Sequence, residues 1–392
     1  MRVDFLVFDA GGGHRAAANA LELVIRQQRR PWQLRVWNLQ DLLDSLDPVR
    51  KLFGIRLEDV YNRLLLQANF TLGSRHLLRV FHAMIRLWHA PVVRRLSAHF
   101  RQERPDLLVS LIPHFNRGIF EGLRRVHRDV PFVTLLTDLA DFPPHFWIER
   151  QPQYFICGTE RAAAQARELG HPPQAVYRVS GMVLHPRFYD TRQVDRGAAR
   201  RRLGLDPDLP TGLVLFGGHG SRVMTTIVER LDRSGSPVQL IMLCGRNRGL
   251  LETLRRRPTR MPVHLEGFTT DVPMFMQLAD FFIGKPGPGS ISEALAMKLP
   301  AIVACNAWTL PHERYNAEWI REQGLGLVVD SYHRVDRAVA ELLDSDNLER
   351  FRARAAAVQN RAVFEIPDVL AEIAAQGPEP LALDKRAIFP GS

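Results

Sequence analysis

Cysteine is scarce. Three occur among 392 residues, Cys157, Cys244 and Cys305, far apart and without neighbouring Cys or His pairs. An odd, scattered set excludes a disulfide framework and a structural zinc site, and fits a reducing compartment. Long hydrophobic runs are lacking as well, since nothing approaches the ~18 consecutive apolar residues of a membrane-spanning helix. Met1 leads straight into Val3–Phe8 without a basic head, apolar core and cleavage site, so no secretory signal is read. Lysine is nearly missing: of 52 basic residues only Lys51, Lys285, Lys298 and Lys385 are lysines. Apolar residues make up 46% and charged residues 24%, which excludes disordered and fibrous classes. The length suits about two domains at roughly 150 residues each.

Acids are outnumbered, 42 against 52, for a net charge of +10. One segment holds most of that surplus, with eleven Lys/Arg and three acids between Arg50 and Arg104. Within it Leu77, Phe81, Met84, Ile85, Trp88 and Val92 recur at helical spacing, and Arg75, Arg79, His82, Arg86 and His89 form another stripe. Two readings stand. The arginines either face water on a helix whose apolar side enters the core, or they meet an anionic bilayer surface. Neither zinc-finger spacing nor an RNA-binding aromatic motif is present, so nucleic acid is not expected as a partner.

The N-terminal half alternates strand-like runs with helical patterns: Val3–Phe8, Leu34–Leu39, Leu107–Leu111, Phe132–Thr137, Tyr154–Cys157 and Val176–Ser180. The rhythm restarts with Gly212–Phe216, Val238–Leu243, Val263–Glu266, Phe281–Ile283, Ala301–Ala304 and Gly326–Val329. Such alternation predicts an α/β class with two Rossmann-like parallel-sheet domains facing a central cleft. The expected boundaries are 1–185 for the first domain, 186–205 for a linker, 206–375 for the second domain with its closing helices, and 376–392 for a loose tail rich in Pro and Gly.

Three glycine loops follow predicted strands, where this architecture places phosphate and sugar chemistry. The first is Asp9-Ala-Gly-Gly-Gly-His14. Gly12 and Gly13 permit close backbone approach, and a helix N-terminus favours the neutral imidazole of a general base. A tight turn with an idle histidine is the other reading. The loop is neither a P-loop nor a dinucleotide fingerprint. The second loop, Phe216-Gly-Gly-His-Gly-Ser221, is weak alone. The third, Gly284-Lys-Pro-Gly-Pro-Gly-Ser-Ile-Ser-Glu293, suits a diphosphate at a helix beginning near Ser290. Ser290 and Glu293 also have capping-box spacing, which would tie the Glu293 side chain to its own helix start.

In this order these loops, with Leu243-Cys-Gly-Arg-Asn247, Glu266-Gly-Phe268 and Pro311-His-Glu313-Arg-Tyr-Asn316, resemble the monogalactosyldiacylglycerol synthase and processive diacylglycerol glucosyltransferase family. That family is related to the N-acetylglucosaminyltransferase that makes peptidoglycan lipid II. The resemblance runs from about residue 3 to about residue 370. It implies a GT-B fold and an inverting hexosyl transfer from UDP-galactose or UDP-glucose to a diacylglycerol-type acceptor. It also implies a cytoplasmic enzyme held peripherally at the inner face of the cell membrane.

Carried over by position, His14 and Asp138 are the implied catalytic residues. Gly217, Gly218, Gly220, Arg246, Phe268, Lys285, Gly287, Gly289, Ser290, Glu293, Glu313 and Asn316 are implied at the donor. Gly12, Gly13, Arg75, Arg79, Arg86, Trp88, His145 and Trp147 are implied on the acceptor and membrane side. Thr137 precedes Asp138 in a Thr-Asp pair that the resemblance puts on the acceptor side. His312 stands where relatives often have Gln, and Pro286 and Val183 also depart from the family pattern. No cofactor and no metal are expected. Asp344-Ser-Asp346, an Asp-x-Asp, reads as a helix-start turn far past the sugar motifs. The alternatives are a polyprenyl-linked or other lipid acceptor, and a soluble UDP-sugar 2-epimerase-like isomerase on the same fold.

Overall fold

Runs of three to six residues, apolar on both faces and rich in Val, Ile and Leu, suit strands buried between layers of helix. Twelve strands, most of this kind, form among the described residues of the computed structural model, which are 1–9, 13–44, 74–190, 194–307, 309–344 and 346–378, with the side chains of 74–87 outside that set. All twelve lie where the alternation of the sequence predicts them, within two residues at either end.

The first unit carries β1 (Arg2–Val7), β2 (Gln33–Asn38), β3 (Leu107–Ser110), β4 (Phe132–Leu135), β5 (Tyr154–Cys157) and β6 (Val176–Arg178) in the order β2-β1-β3-β4-β5-β6. All neighbours are parallel, with Val3 opposite both Leu34 and Leu107. Its helices are α1 (Gly13–Gln27), α2 (Leu39–Leu43), α3 (Ser74–Gln102), α4 (Asn116–Arg124) and α5 (Glu160–Glu168). The basic amphipathic segment is helical as expected from Ser74 onward. Val92, Leu96 and Phe100 of α3 are buried against Leu108, Ile119 and Leu123, so this end of the helix spends its apolar stripe on the core. Residues 45–73 lie outside the described set, as do the side chains of Arg75, Arg79 and Arg86.

The second unit carries β7 (Thr211–Leu215), β8 (Gln239–Leu243), β9 (Val263–Glu266), β10 (Phe281–Gly284), β11 (Ala301–Ala304) and β12 (Gly326–Val329) in the parallel order β12-β11-β10-β7-β8-β9. Around it lie α6 (Arg196–Arg202), α7 (Val223–Ser234), α8 (Arg248–Arg255), α9 (Val272–Leu278), α10 (Pro288–Ala296), α11 (Pro311–Gln323), α12 (Val335–Leu343) and α13 (Asn347–Ala357). In each sheet the strand order reverses once, between β1 and β3 and between β10 and β7. Such reversal points are where ligands settle outside the carboxyl ends of the strands.

Two boundaries differ from expectation. The units are 1–185 with 361–392, and 186–360. The expected linker is therefore part of the second unit. Arg196 and Arg200 on α6 reach the Asp280 carboxylate, both at 2.7 Å, and Thr211 N adds a third bond. Burial pushes that carboxyl up, but these partners outweigh it and hold it below the usual range. The expected closing helix, α14 (Ala362–Gln376), belongs to the first unit: it packs on α1, and Glu365 accepts from Ser180 N and Oγ at 2.8 and 2.6 Å. The carbonyls of Gly377 and Pro378 accept from Tyr154 and Arg124, so the tail's start is tied down. Residues 379–392 are outside the described set.

Candidate functional site

In the first unit the chemistry gathers at the carboxyl ends of β1 and β4. Residues 10–12, Gly12 among them, are outside the described set; Gly13 is exposed and opens α1, and His14 follows. The His14 Nδ1 lies 3.0 Å from the Oγ1 of Thr137, two residues past β4. Arg15 closes the loop by gripping Asp9 at 2.5 and 2.8 Å, and Asn38 holds the same carboxylate at 2.9 Å.

Behind His14 stands Trp147, with ring centroids 5.9 Å apart. Three residues hold Trp147: Asp138 accepts from the indole Nε1 at 2.8 Å, Asp141 accepts from the backbone N at 2.6 Å, and Asn116 donates to the carbonyl at 3.0 Å. Burial pushes the Asp141 carboxyl up, against the opposing pull of the Trp147 and His145 amides. Trp147 was expected on the acceptor and membrane side; it is 0% exposed and forms the inner wall behind His14 instead. Asp138 is buried and bonded to that indole, while His145 is exposed. Trp88 is partly buried on α3. No motif marks Asp141, Asn116 or the Asp9–Arg15–Asn38 clamp; Asn116 meets Trp147 from 31 residues away and Asn38 meets Asp9 from 29.

In the second unit the informative loop follows β10. Gly287, not Ser290, is the N-cap of α10, and Pro288 takes the first helical position, where its missing N–H costs nothing. The expected capping box is therefore not formed. Ser290 lies inside the first turn, with Oγ 3.3 Å from the Gly287 carbonyl, and Glu293 falls one turn further on. The Glu293 carboxyl has no hydrogen-bond or ion-pair partner among the described residues, and burial alone pushes it up to about 7. A carboxyl group kept partly buried without a partner costs stability, which is common where a ligand supplies the missing donors.

A methyl group on Gly287 would lie 3.2 Å from Lys285 Cε, 3.4 Å from Ser290 Oγ and 3.6 Å from Glu313 Oε1. Three of the expected donor residues thus ring one small glycine. Lys285 Nζ pairs with Glu313 at 3.0 Å. Burial would raise the Glu313 carboxyl, yet Lys285 and His312 hold it below its ordinary value. Asn316, expected at the donor sugar, is 0% exposed: its Nδ2 donates to the Pro286 carbonyl at 2.8 Å and shapes the loop from beneath, while its buried Oδ1 has no hydrogen-bond partner among the described residues. Tyr332, unmarked by any motif, braces the same strand ends, donating to Gly284 O at 2.5 Å and accepting from Ala304 N at 3.1 Å.

A second cluster sits across the β10–β7 reversal. Gly217 and Gly220 have φ of +71° and +58°, which side chains resist, and a carbon on Gly220 would meet the Cys244 carbonyl at 2.7 Å. Arg246 N donates to Gly218 O at 2.8 Å, and its guanidinium stacks 3.9 Å above the Phe268 ring. Phe268 is 50% exposed, with one face of its ring covered by that guanidinium. Gly289 lies in the first turn of α10 with open space around it. Among the described residues no group of three His, Cys, Asp or Glu is placed to hold a metal ion, and no helix is long and apolar enough to cross a membrane.

Residues 213–372 match the glycosyltransferase family 28 C-terminal domain. Over most of the chain, the Oryza sativa subsp. japonica protein "Probable monogalactosyldiacylglycerol synthase 3, chloroplastic" is 29% identical over 379 residues, covering 92% of this chain and 72% of the relative. Among solved structures, Acinetobacter baumannii MurG superposes with a TM-score of 0.59 at 13% identity, over 95% of this chain and 99% of its own. S. aureus MnaA, in a co-structure with UDP, gives a TM-score of 0.58 at 15% identity, over 94% and 95%. At such low identities these two superpositions establish the fold alone.

Proposed function

As a glycosyltransferase with a family 28 C-terminal domain on a GT-B fold, this chain is, we propose, an inverting enzyme that moves a hexose from UDP-galactose or UDP-glucose to a diacylglycerol-type lipid at an anionic membrane surface. The observation that carries the reading is the loop after β10, where Lys285, Ser290 and Glu313 surround Gly287 and the unpartnered Glu293 stands one turn beyond. The donor diphosphate lies against the amides that open α10, with the positive helix end and Lys285 supplying charge. Glu293 accepts from the ribose hydroxyls, Phe268 and Arg246 flank the uracil, and Glu313 accepts from a sugar hydroxyl. Gly217, Gly218 and Gly220 close over the phosphates.

The reaction is a single displacement. The acceptor hydroxyl attacks the anomeric carbon, its proton passes to His14, and the bond to UDP breaks on the opposite face. Charge growing on the departing diphosphate is met by preorganised N–H groups and Lys285, so neither metal nor cofactor is assigned a step. The name of the rice relative supports galactose and diacylglycerol. The arginines spread along α3 support docking to anionic lipid, each adding about 1 kcal/mol near the surface. The anomeric configuration of the product, read by NMR, tests the mechanism. A β-linked hexoside is expected from the α-linked donor, and an α-linked product would overturn single displacement. His14→Ala is expected to lose ~10²–10⁴-fold in turnover while UDP binding is kept.

A further inference from the structure

A base of this kind needs a partner on its second nitrogen. An imidazole takes a proton at one nitrogen only while its own hydrogen sits on the other, so the group at the far nitrogen decides whether the residue works. At His14 that group is a hydroxyl. Thr137 Oγ1 lies 3.0 Å from Nδ1, on a strand end whose next backbone contact, Leu136 N to Ile156 O at 3.1 Å, ties it to β5. The ring is fixed from behind by Trp147, itself fastened by Asp138, Asp141 and Asn116.

We propose that Thr137 is the positioning residue of His14, its Oγ1 accepting from Nδ1–H, which puts the proton-accepting lone pair on Nε2. The inference rests on the reading of His14 as the base. If the hydroxyl donated instead, Nε2 would carry the hydrogen and could take no proton. A hydroxyl also differs from a carboxylate in consequence: it orients the ring without placing an anion beside Nδ1, so the proton gained in one turnover is released before the next. Asp138, the nearby acid, is engaged with the indole of Trp147 and holds the wall that keeps the imidazole in place.

The test combines kinetics with spectroscopy on the full chain. In ¹⁵N-labelled wild-type protein, His14 is expected as the Nδ1–H tautomer. Thr137→Val is expected to lose on the order of 10- to 100-fold in kcat, part of what a positioned base supplies, with the donor KM within about twofold. Thr137→Ser is expected to restore turnover to within about threefold, because the hydroxyl alone is required. Thr137→Asp is expected to move the acid limb of the kcat/KM profile up by about one pH unit, a change that a purely structural role would not cause. An Nε2–H tautomer in the wild type, or a Val variant with unchanged kcat and pH profile, overturns the proposal. His14→Ala is run beside these variants. If it too leaves turnover intact, the reading of His14 as base has failed; if it abolishes turnover while Thr137→Val does not, only the role of Thr137 has failed.

Discussion

Glu293 offers the sharpest separation between a binding residue and a helix-closing one. Its carboxyl titrates near 7 in the folded chain against an ordinary 4.5, because burial disfavours the charged form. The folded state therefore keeps a proton that the unfolded chain loses, and stability falls as pH rises from about 4.5 through about 7. The full penalty above that window is at most about 3 kcal/mol, and roughly 1–2 kcal/mol once solvent around a partly buried side chain is counted. Glu293→Gln removes the ionisation while keeping the shape. Denaturant unfolding is expected to show the variant more stable than wild type by roughly 1–2 kcal/mol near pH 8.5, and within about 0.5 kcal/mol near pH 5. Calorimetry is expected to show UDP affinity falling roughly 10- to 100-fold, the worth of hydrogen bonds to a charged acceptor. In the wild type, affinity should rise as pH passes about 7 and the carboxylate forms. A variant less stable at both pH values with UDP affinity unchanged would refute the reasoning, since that is how a lost structural contact behaves.

Gly287→Ala sits at an ordinary φ of −75°, so the backbone accepts it. The added methyl enters the space between Lys285, Ser290 and Glu313, and UDP-sugar affinity is expected to drop at least about tenfold while the melting temperature stays within about 2 °C. Arg246→Ala frees the Phe268 face, and a loss of about 1 kcal/mol in UDP binding, with turnover otherwise retained, is expected by titration. Flotation with vesicles containing anionic lipid is expected to carry the protein upward at low salt and release it near 1 M salt, and recovery at the bottom in both conditions would remove membrane docking from the account.

The strands are legible because parallel sheets covered on both faces demand apolar runs, and β8, β10 and β11 show them plainly. The glycine loops were legible for the same reason, lying between such a run and a helical pattern. At Ser290 and Glu293 local spacing leaves a cap and a donor contact both open, and Pro288 at the first helical position moves the cap to Gly287. Asn316 and Trp147 are placed at ligands by the family resemblance, and nothing in their spacing says that both are buried. Asn316 meets Pro286 from 30 residues away and Trp147 meets Asn116 from 31, while Asp138 and Asp141 hold Trp147 from nine and six residues away. The return of α14 to the first unit was hidden likewise, since an apolar helix does not announce which core it completes.

The central claim is transfer of a hexose to a lipid hydroxyl, and one measurement reaches it directly. Purified protein is mixed with diacylglycerol in anionic vesicles and, in parallel, with UDP-galactose, UDP-glucose or UDP-N-acetylglucosamine, and the extracted lipids are weighed by mass spectrometry. A hexosyl-diacylglycerol made from UDP-galactose or UDP-glucose, and lost in His14→Ala, is the predicted result. Binding of the UDP-sugars with no new lipid from any of them would contradict diacylglycerol as the acceptor, and conversion of the UDP-sugar to an isomer would contradict transfer itself.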